Sequence, residues 1–204
     1  EYADGEDLSY KIVNPDFTSM GDKYGWTMDK SDGMGTPTFF NGFTGVLEMW
    51  ASSFDIYQTI RLPKGAYRLS TRAFYRVGGD ADAWNRWKAA NGEDKGDNEV
   101  RAWLYADNMT NKVPNVFVKL YTDDEVNTYF PDNAGNFSSL SDDNGNIVRV
   151  PNGVYSANDV FNSPEFGVNY DSHIDFIVKG GQDVRIGIKA NINSALGGWT
   201  LWDD

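Results

Sequence analysis

The chain of 204 residues contains no cysteine, which excludes disulfides, thiolate metal sites and a cysteine nucleophile. It contains one histidine, His173, so a zinc site built from imidazole and thiolate groups would lack ligands. No apolar run approaches the roughly 20 residues that a membrane-spanning helix needs, and no charged segment followed by an apolar stretch opens the chain. The sequence therefore predicts no membrane insertion.

Basic side chains are scarce, with 18 lysines and arginines against 30 aspartates and glutamates and a formal net charge of -12. This charge would repel phosphate backbones and anionic membranes, so nucleic acid is not predicted as a partner. Catalytic signals are also lacking, because no Gly-x-Ser-x-Gly motif occurs and any search among 30 carboxylates finds some pair by chance. We therefore predict no enzyme.

Aromatic residues (15%) and glycines (21) are abundant, which favours strands joined by tight turns and an all-β fold. The clearest pattern lies in residues 53–78, where two alternating runs flank a Pro63-Lys64-Gly65 turn. In the first run Gln58 falls on the apolar face, and we expect backbone groups to satisfy its amide. Further strands are predicted at 14–17, 46–50, 100–106, 115–121, 147–150, 172–178, 184–192 and 199–202.

The second alternating run carries three arginines, Arg68, Arg72 and Arg76, on its other face. A solvated outer face and a binding stripe both explain this row, and we favour the solvated face. Asn144-Gly145 predicts a hairpin. Residues 155–161 predict a short helix with Ser156 as its cap.

An insertion at 78–99 interrupts the strand pattern, and residues 80–90 within it predict a helix. On that helix Trp84 and Trp87 are neighbours, with Asn85 and Arg86 between them. Exposed indoles would offer flat faces to a sugar ring, and Tyr75 and Arg76 at the preceding strand end would add a polar rim. The competing interpretation is that the two indoles anchor the helix to the core.

Several segments together resemble the galactose-binding-like jelly-roll domains of secreted polysaccharide-processing proteins of Bacteroidetes. They are NPDF at 14–17 with the Gly-Trp at 25–26, DIYQTIRLPKGAYRLS at 55–70, LYA at 104–106 and IGIKANINSALGGWTLWDD at 186–204. The resemblance implies an all-β, two-sheet antiparallel jelly-roll β-sandwich with one or two short helices. It also implies a carbohydrate-binding module, secreted or at the cell surface or periplasm, with its export signal removed.

Residues 1–10 are acidic and aperiodic, so we predict an N-terminal arm followed by one β-sandwich domain over 11–204. The strand pattern stops abruptly at Asp203 and Asp204, which favours a segment cut from a longer polypeptide. The resemblance implies a structural calcium where the first and last strands meet, with Asp16 and Asp203 as ligands. A capping or turn role for these two carboxylates is an equal alternative.

The leading hypothesis is a non-catalytic module that binds a poly- or oligosaccharide through Trp84, Trp87, Asn85, Arg86, Tyr75 and Arg76 at one loop end. Attached catalytic or surface domains are further expected partners. The alternative is a structural or protein-interaction domain of a multidomain surface protein, with no sugar site. Exposure of Trp84 and Trp87 would favour the first hypothesis and burial the second. Trp50 and Trp103 could line either face of their strands and stay open, whereas Trp26, Trp199 and Trp202 are expected to close the core.

Overall fold

The computed structural model describes residues 5–17, 24–39, 45–90, 99–192 and 196–203. In these residues two five-stranded antiparallel sheets form a sandwich, which confirms the predicted fold class. The first sheet has the order β1-β4-β11-β6-β7 and comprises Thr27–Met28, Phe54–Leu62, Gln182–Ala190, Ala102–Ala106 and Met109–Lys112. The second has the order β10-β5-β12-β3-β2 and comprises Asp171–Val178, Gly65–Arg76, Trp199–Asp203, Leu47–Trp50 and Thr38–Phe39.

The turn at Pro63–Lys64 carries the chain from β4 in the first sheet to β5 in the second, so the two strands face each other across the sandwich and do not pair. Inward side chains of both sheets form the central core, in which Phe54 of β4 stacks on Trp202 of β12 at 4.9 Å between ring centroids. Gln58 is buried on this inward face, as predicted. Its Oε1 accepts from the Val13 amide at 3.0 Å and its Nε2 donates to the Val13 carbonyl at 2.6 Å, so backbone groups do satisfy the amide.

A third layer covers the outer face of the second sheet. It contains three helices and a hairpin: α1 (Asp80–Ala89), α2 (Asp123–Tyr129), α3 (Val154–Asn162), β8 (Phe137–Ser141) and β9 (Ile147–Pro151). Phe74 and Trp199 project from the sheet into this layer, where the Phe74 ring contacts Phe161 at 5.4 Å and Trp199 at 5.3 Å between centroids. The hairpin at Asn144-Gly145 was predicted, but helix α2 was not.

The extra layer corrects the interpretation of the arginine row. Arg68 is exposed and forms a bidentate pair with Asp175 at 2.7 and 2.8 Å, as a solvated face requires. Arg72 is half-buried and donates to the Phe161 carbonyl of α3. Arg76 is only 5% exposed. The solvated interpretation therefore holds for one end of the row and is wrong at the other.

Three predicted segments differ in the structure. The opening strand at 14–17 is absent, because Asn14 and Phe17 adopt positive φ angles of 54° and 52° that break an extended run. The predicted strand at 115–121 is replaced in part by a 3-10 turn, Val116–Val118. The Asn115 side chain caps this turn by accepting a hydrogen bond from Phe117 N. Helix α3 begins at Val154, so Ser156 lies inside it and donates to the Gly153 carbonyl at 3.0 Å.

Helix α2 begins with a capping box that gives a pH-dependent prediction. Glu125 Oε2 accepts from Thr122 N at 2.7 Å, Thr122 Oγ1 accepts from Glu125 N at 3.1 Å, and Lys119 Nζ donates to Glu125 Oε1 at 2.8 Å. Burial raises the pKa of Glu125, but these bonds outweigh it and hold the pKa below its usual value. The carboxylate therefore stabilises the fold above the unfolded-state pKa, and this contribution is lost as the pH falls through the folded-state value.

We expect Glu125→Gln to lower the free energy of unfolding by about 0.5–1 kcal/mol at pH 7. The deficit relative to the parent protein should shrink below about pH 4, where the parent carboxylate also becomes protonated. Urea denaturation at the two pH values measures both quantities. A deficit that stays constant with pH would show that Glu125 acts through its shape alone.

Candidate functional site

One end of the sandwich, here called the insertion end, joins the insertion to both sheets. Ala190 at the end of β11 pairs there with Phe54 of β4 and Ala102 of β6, and Arg76 at the end of β5 pairs with Trp199 of β12. The insertion connects β5 to β6 along the chain, and its residues 91–98 lie outside the described part of the chain. The six residues of the predicted loop-end site lie beside this end, on α1 and at the end of β5.

The two indoles of the insertion are not an exposed platform. Trp84 is 4% exposed and its Nε1 donates to the Ser141 carbonyl at 2.8 Å. Trp87 is half-buried and stacks on Trp84 at 5.0 Å between centroids, and both rings contact Phe117. The pair joins helix α1 to β8 and the third-layer core, which is the anchoring role that competed with sugar binding in the sequence interpretation.

The polar residues predicted around these indoles are mostly committed to the fold. Tyr75 is fully buried between the sheets, and Arg76 stacks over Trp199 with its guanidinium carbon 4.3 Å from the ring centroid. Burial lowers the pKa of Arg76 to about 10, so it stays charged at neutral pH. Arg86 donates to the Val77 carbonyl at 2.8 Å. Asn85 alone of the six predicted residues is exposed, so the structure does not assemble them into a sugar site.

The structure shows which sheet face Trp50 and Trp103 lie on, which the sequence did not decide. Trp50 ends β3 on the outer face of the second sheet and is 49% exposed. Trp103 of β6 is half-buried on the outer face of the first sheet, between the inward residues Ala102 and Leu104. Ala102 and Leu104 flank Trp103 in the sequence, and because neighbouring residues of a strand face opposite sides, their inward position was the available signal for an outward Trp103.

Trp103 borders a cleft of about 730 Å³ at the insertion end of the first sheet, which we call the Trp103 cleft. Its polar lining comes from a loop, from three neighbouring strands and from the residue that follows β11. These residues are Asp32, Asp55, Thr110, Lys189 and Asn191, and Ser53, which precedes β4, adds a hydroxyl that accepts from Ile192 N. The cleft thus combines one flat indole with carboxylate, hydroxyl, ammonium and amide groups, which is the chemistry that recognises sugar hydroxyls and the apolar face of a pyranose.

A rigid polar network supports this face of the sheet. Asp55 accepts from the Tyr105 hydroxyl at 2.7 Å and from Arg185 Nη2 at 2.8 Å, and Arg185 Nε also donates to the Tyr105 hydroxyl at 3.1 Å. The Arg185 guanidinium carbon lies 3.4 Å from the centroid of the Tyr57 ring. Burial and the hydrogen bond to Asp55 raise the pKa of Tyr105, so its phenol stays protonated and remains a donor. The network fixes the cleft wall before any ligand arrives.

A second cleft, the arm cleft, measures about 820 Å³. It lies next to the turn that connects β4 to β5, at the end of these strands away from the Trp103 cleft. The N-terminal residues 5–9 cover it, and Ile60, Leu62, Leu69 and Phe176 form its apolar wall. Two of its charged groups, Arg68 and Asp175, are paired with one another, and Glu6 and Asp7 of the N-terminal residues add carboxylates. Among its described lining residues the arm cleft has no tryptophan, which distinguishes it from the Trp103 cleft.

The calcium prediction stays a prediction. Asp203 is buried, and its carbonyl accepts from the Thr71 hydroxyl. Asp203 shares a small cavity of about 50 Å³ with Pro15 and Phe17, the neighbours of half-buried Asp16, but most of its lining is apolar. In the described part of the chain no three histidine, cysteine, aspartate or glutamate side chains gather as metal ligands. Asp16 and Asp203 could supply only part of the six to eight oxygens that calcium takes, so carbonyls would have to complete the site.

Comparisons with known proteins give little. No family model matches the chain, and no curated protein matches it. Among solved structures it is similar to the carbohydrate-binding module TmCBM61 in complex with β-1,4-galactotriose, with 12% identity, a TM-score of 0.40, and coverage of 95% of this chain and 94% of the other. That level of similarity carries no argument about sugar binding here. Across residues 5–17, 24–39, 45–90, 99–192 and 196–203, no helix has the length and apolar character needed to cross a membrane.

Proposed function

We propose that this protein is a non-catalytic carbohydrate-binding module and that the Trp103 cleft is its sugar site. The observation that carries the proposal is a half-buried indole on a rigid sheet face, beside a cleft with several uncommitted polar groups. Aromatic faces contact the apolar side of a pyranose, and neighbouring polar groups bind its hydroxyls. A preformed wall lowers the ordering cost of binding, although an open cleft predicts modest affinity.

Asp55 supports a binding role more than a catalytic one. Both of its carboxylate oxygens accept hydrogen bonds, one from Tyr105 and one from Arg185. A general acid or base has to exchange a proton with the substrate, and a carboxylate fixed in this way is poorly placed to do so. The resemblance noted in the sequence further supports a location outside the cytoplasm, at the cell surface or in the periplasm, beside other domains that process polysaccharide.

The test is affinity electrophoresis through gels containing plant, algal or host polysaccharides. We expect Trp103→Ala to weaken binding by about two- to tenfold while its thermal unfolding stays close to that of the parent, because a stacked aromatic ring contributes about 0.5–1.5 kcal/mol beyond its buried area. The matched control is Trp50→Ala, which removes an exposed indole from the other sheet and should leave the retardation unchanged.

Two results would contradict the proposal. Retardation lost only in Trp50→Ala would move the site to the second sheet. A folded parent protein that no polysaccharide of the panel retards would favour the structural or protein-interaction role, which the burial of Trp84 also favours.

A further inference from the structure

The charges around Trp103 differ from those of the chain as a whole. Across four strands of the first sheet, Asp55, Lys189, Trp103 and Lys112 stand directly opposite one another, so their side chains share the outward face. A lysine therefore flanks Trp103 on each neighbouring strand, in a protein whose net charge is -12. Lys189 is thus the lysine of this row that lines the Trp103 cleft, whose lining also contains the carboxylates of Asp32 and Asp55.

The carboxylate opposite Lys189 does not neutralise it. Asp55 gives one oxygen to the Tyr105 hydroxyl and the other to Arg185. In the described ranges of the chain, Lys189 forms no ion pair, and its Nζ lies 4.8 Å from the centroid of the Tyr105 ring. Lys189 is half-buried and lines the Trp103 cleft, so its stem is held by the sheet face while its ammonium group is available to a ligand.

We infer that the Trp103 cleft binds an acidic sugar, with Lys189 Nζ pairing with the anionic group while the Trp103 indole contacts the sugar ring. The inference rests on the proposed function and names the class of glycan. A carboxylate of a uronic acid and a sulfate ester share the chemistry that an ammonium group recognises.

The net negative charge of the protein does not oppose this inference at physiological ionic strength. Repulsion from distant carboxylates is screened over about 8 Å in such salt, whereas a direct and partly buried ion pair is screened much less. Discrimination therefore depends on the charge next to the sugar. In that position the structure has Lys189 beside Trp103, while Asp55 is paired with Arg185 and Asp32 lines the cleft from its loop.

The experiment measures binding to matched acidic and neutral glycans. Affinity gels would contain homogalacturonan, alginate or carrageenan, each beside its carboxyl-reduced or desulfated form, at an ionic strength of about 0.15 M. The proteins are the parent, Lys189→Gln and the control Lys64→Gln, which removes an exposed lysine from the β4–β5 turn. The uronate and sulfate gels distinguish the two sources of the anion.

We expect the parent to bind at least one acidic glycan about tenfold more tightly than its neutral form, and the ratio of acidic to neutral binding to fall towards one in Lys189→Gln. Lys64→Gln should behave as the parent does. Equal binding of acidic and neutral forms by the parent, or an unchanged preference in Lys189→Gln, would overturn the acidic-sugar inference and leave the Trp103 site standing. Failure to bind any glycan would overturn the proposed function itself.

Discussion

Replacing Trp84 with alanine is expected to lower the free energy of unfolding by about 3–5 kcal/mol. The side chain is 4% exposed, stacks on Trp87, contacts Phe117, and donates its indole N–H to the Ser141 carbonyl. Alanine would leave a large cavity between α1 and the third-layer core and would leave the buried carbonyl without this donor. This is the largest single effect that we expect from the insertion.

Chemical denaturation of Trp84→Ala measures the loss, and affinity electrophoresis below its unfolding transition separates stability from binding. We expect the folded variant to bind polysaccharide as the parent does, because Trp84 does not line the Trp103 cleft. Trp50→Ala is the control for removal of an indole, and its stability should change by less than about 1 kcal/mol because the ring is 49% exposed. A stable Trp84→Ala variant that has lost sugar binding would restore the original platform hypothesis.

Replacing Gly187 with alanine is expected to damage both stability and sugar binding. Gly187 lies in β11 between Tyr57 and Tyr105, and a Cβ atom there would stand 2.2 Å from the Ile56 carbonyl oxygen and 3.0 Å from the Tyr57 Cα. These neighbours belong mainly to the backbone of β4, so the two strands would have to separate. Overpacking of this kind costs about 1–3 kcal/mol, and the displaced atoms are backbone that cannot rotate away.

The same glycine explains how Tyr105 reaches Asp55 from two strands away. The phenol crosses β11 where no side chain stands, and there it completes the network that holds Asp55 and Arg185. We expect Gly187→Ala to break this network and to weaken glycan binding by more than its loss of stability explains. Thermal unfolding together with affinity electrophoresis tests this.

The matched control is Gly180→Ala in the β10–β11 turn, where an added Cβ meets nothing within 4 Å. Its stability should stay within about 0.5 kcal/mol of the parent value. Parent-like stability and binding in Gly187→Ala would show that β4 and β11 have more freedom than the structure indicates.

Local alternation predicted β4 and β5 well, because residues along each of these strands face the core and the outside in turn. The same alternation placed the polar Gln58 on the inward face of β4, and that position predicted that backbone groups would bond to its amide. The third layer was not predicted, because Arg72 and Arg76 stand on the outer face of β5, and only tertiary contacts reveal that helices cover it.

The sequence indicated the insertion end as the place of a sugar site, and that location stays a prediction. Trp84 and Trp87 satisfy the spacing of a helical aromatic pair whether they face solvent or core, so spacing alone could not predict their burial. Trp103 was undecided, although its apolar neighbours point inward. Register across β11, β6 and β7 brings Lys189 and Lys112 beside Trp103, and strand register between distant segments cannot be derived from local patterns.

The arm cleft has a consequence for the behaviour of the protein in concentrated solution. In the described residues, β4 beyond Gln58 and β5 before Arg72 have a neighbouring strand on one side only, and Ile60, Leu62 and Leu69 line the opening between them. Unpaired strand edges beside apolar side chains are templates for association between molecules. The Gln58 amide holds Val13, which follows the residues 5–9 and Ile12 that line this opening. We therefore expect the buried Gln58 side chain to help keep separate copies of the chain from aggregating edge to edge, by fixing the N-terminal residues there.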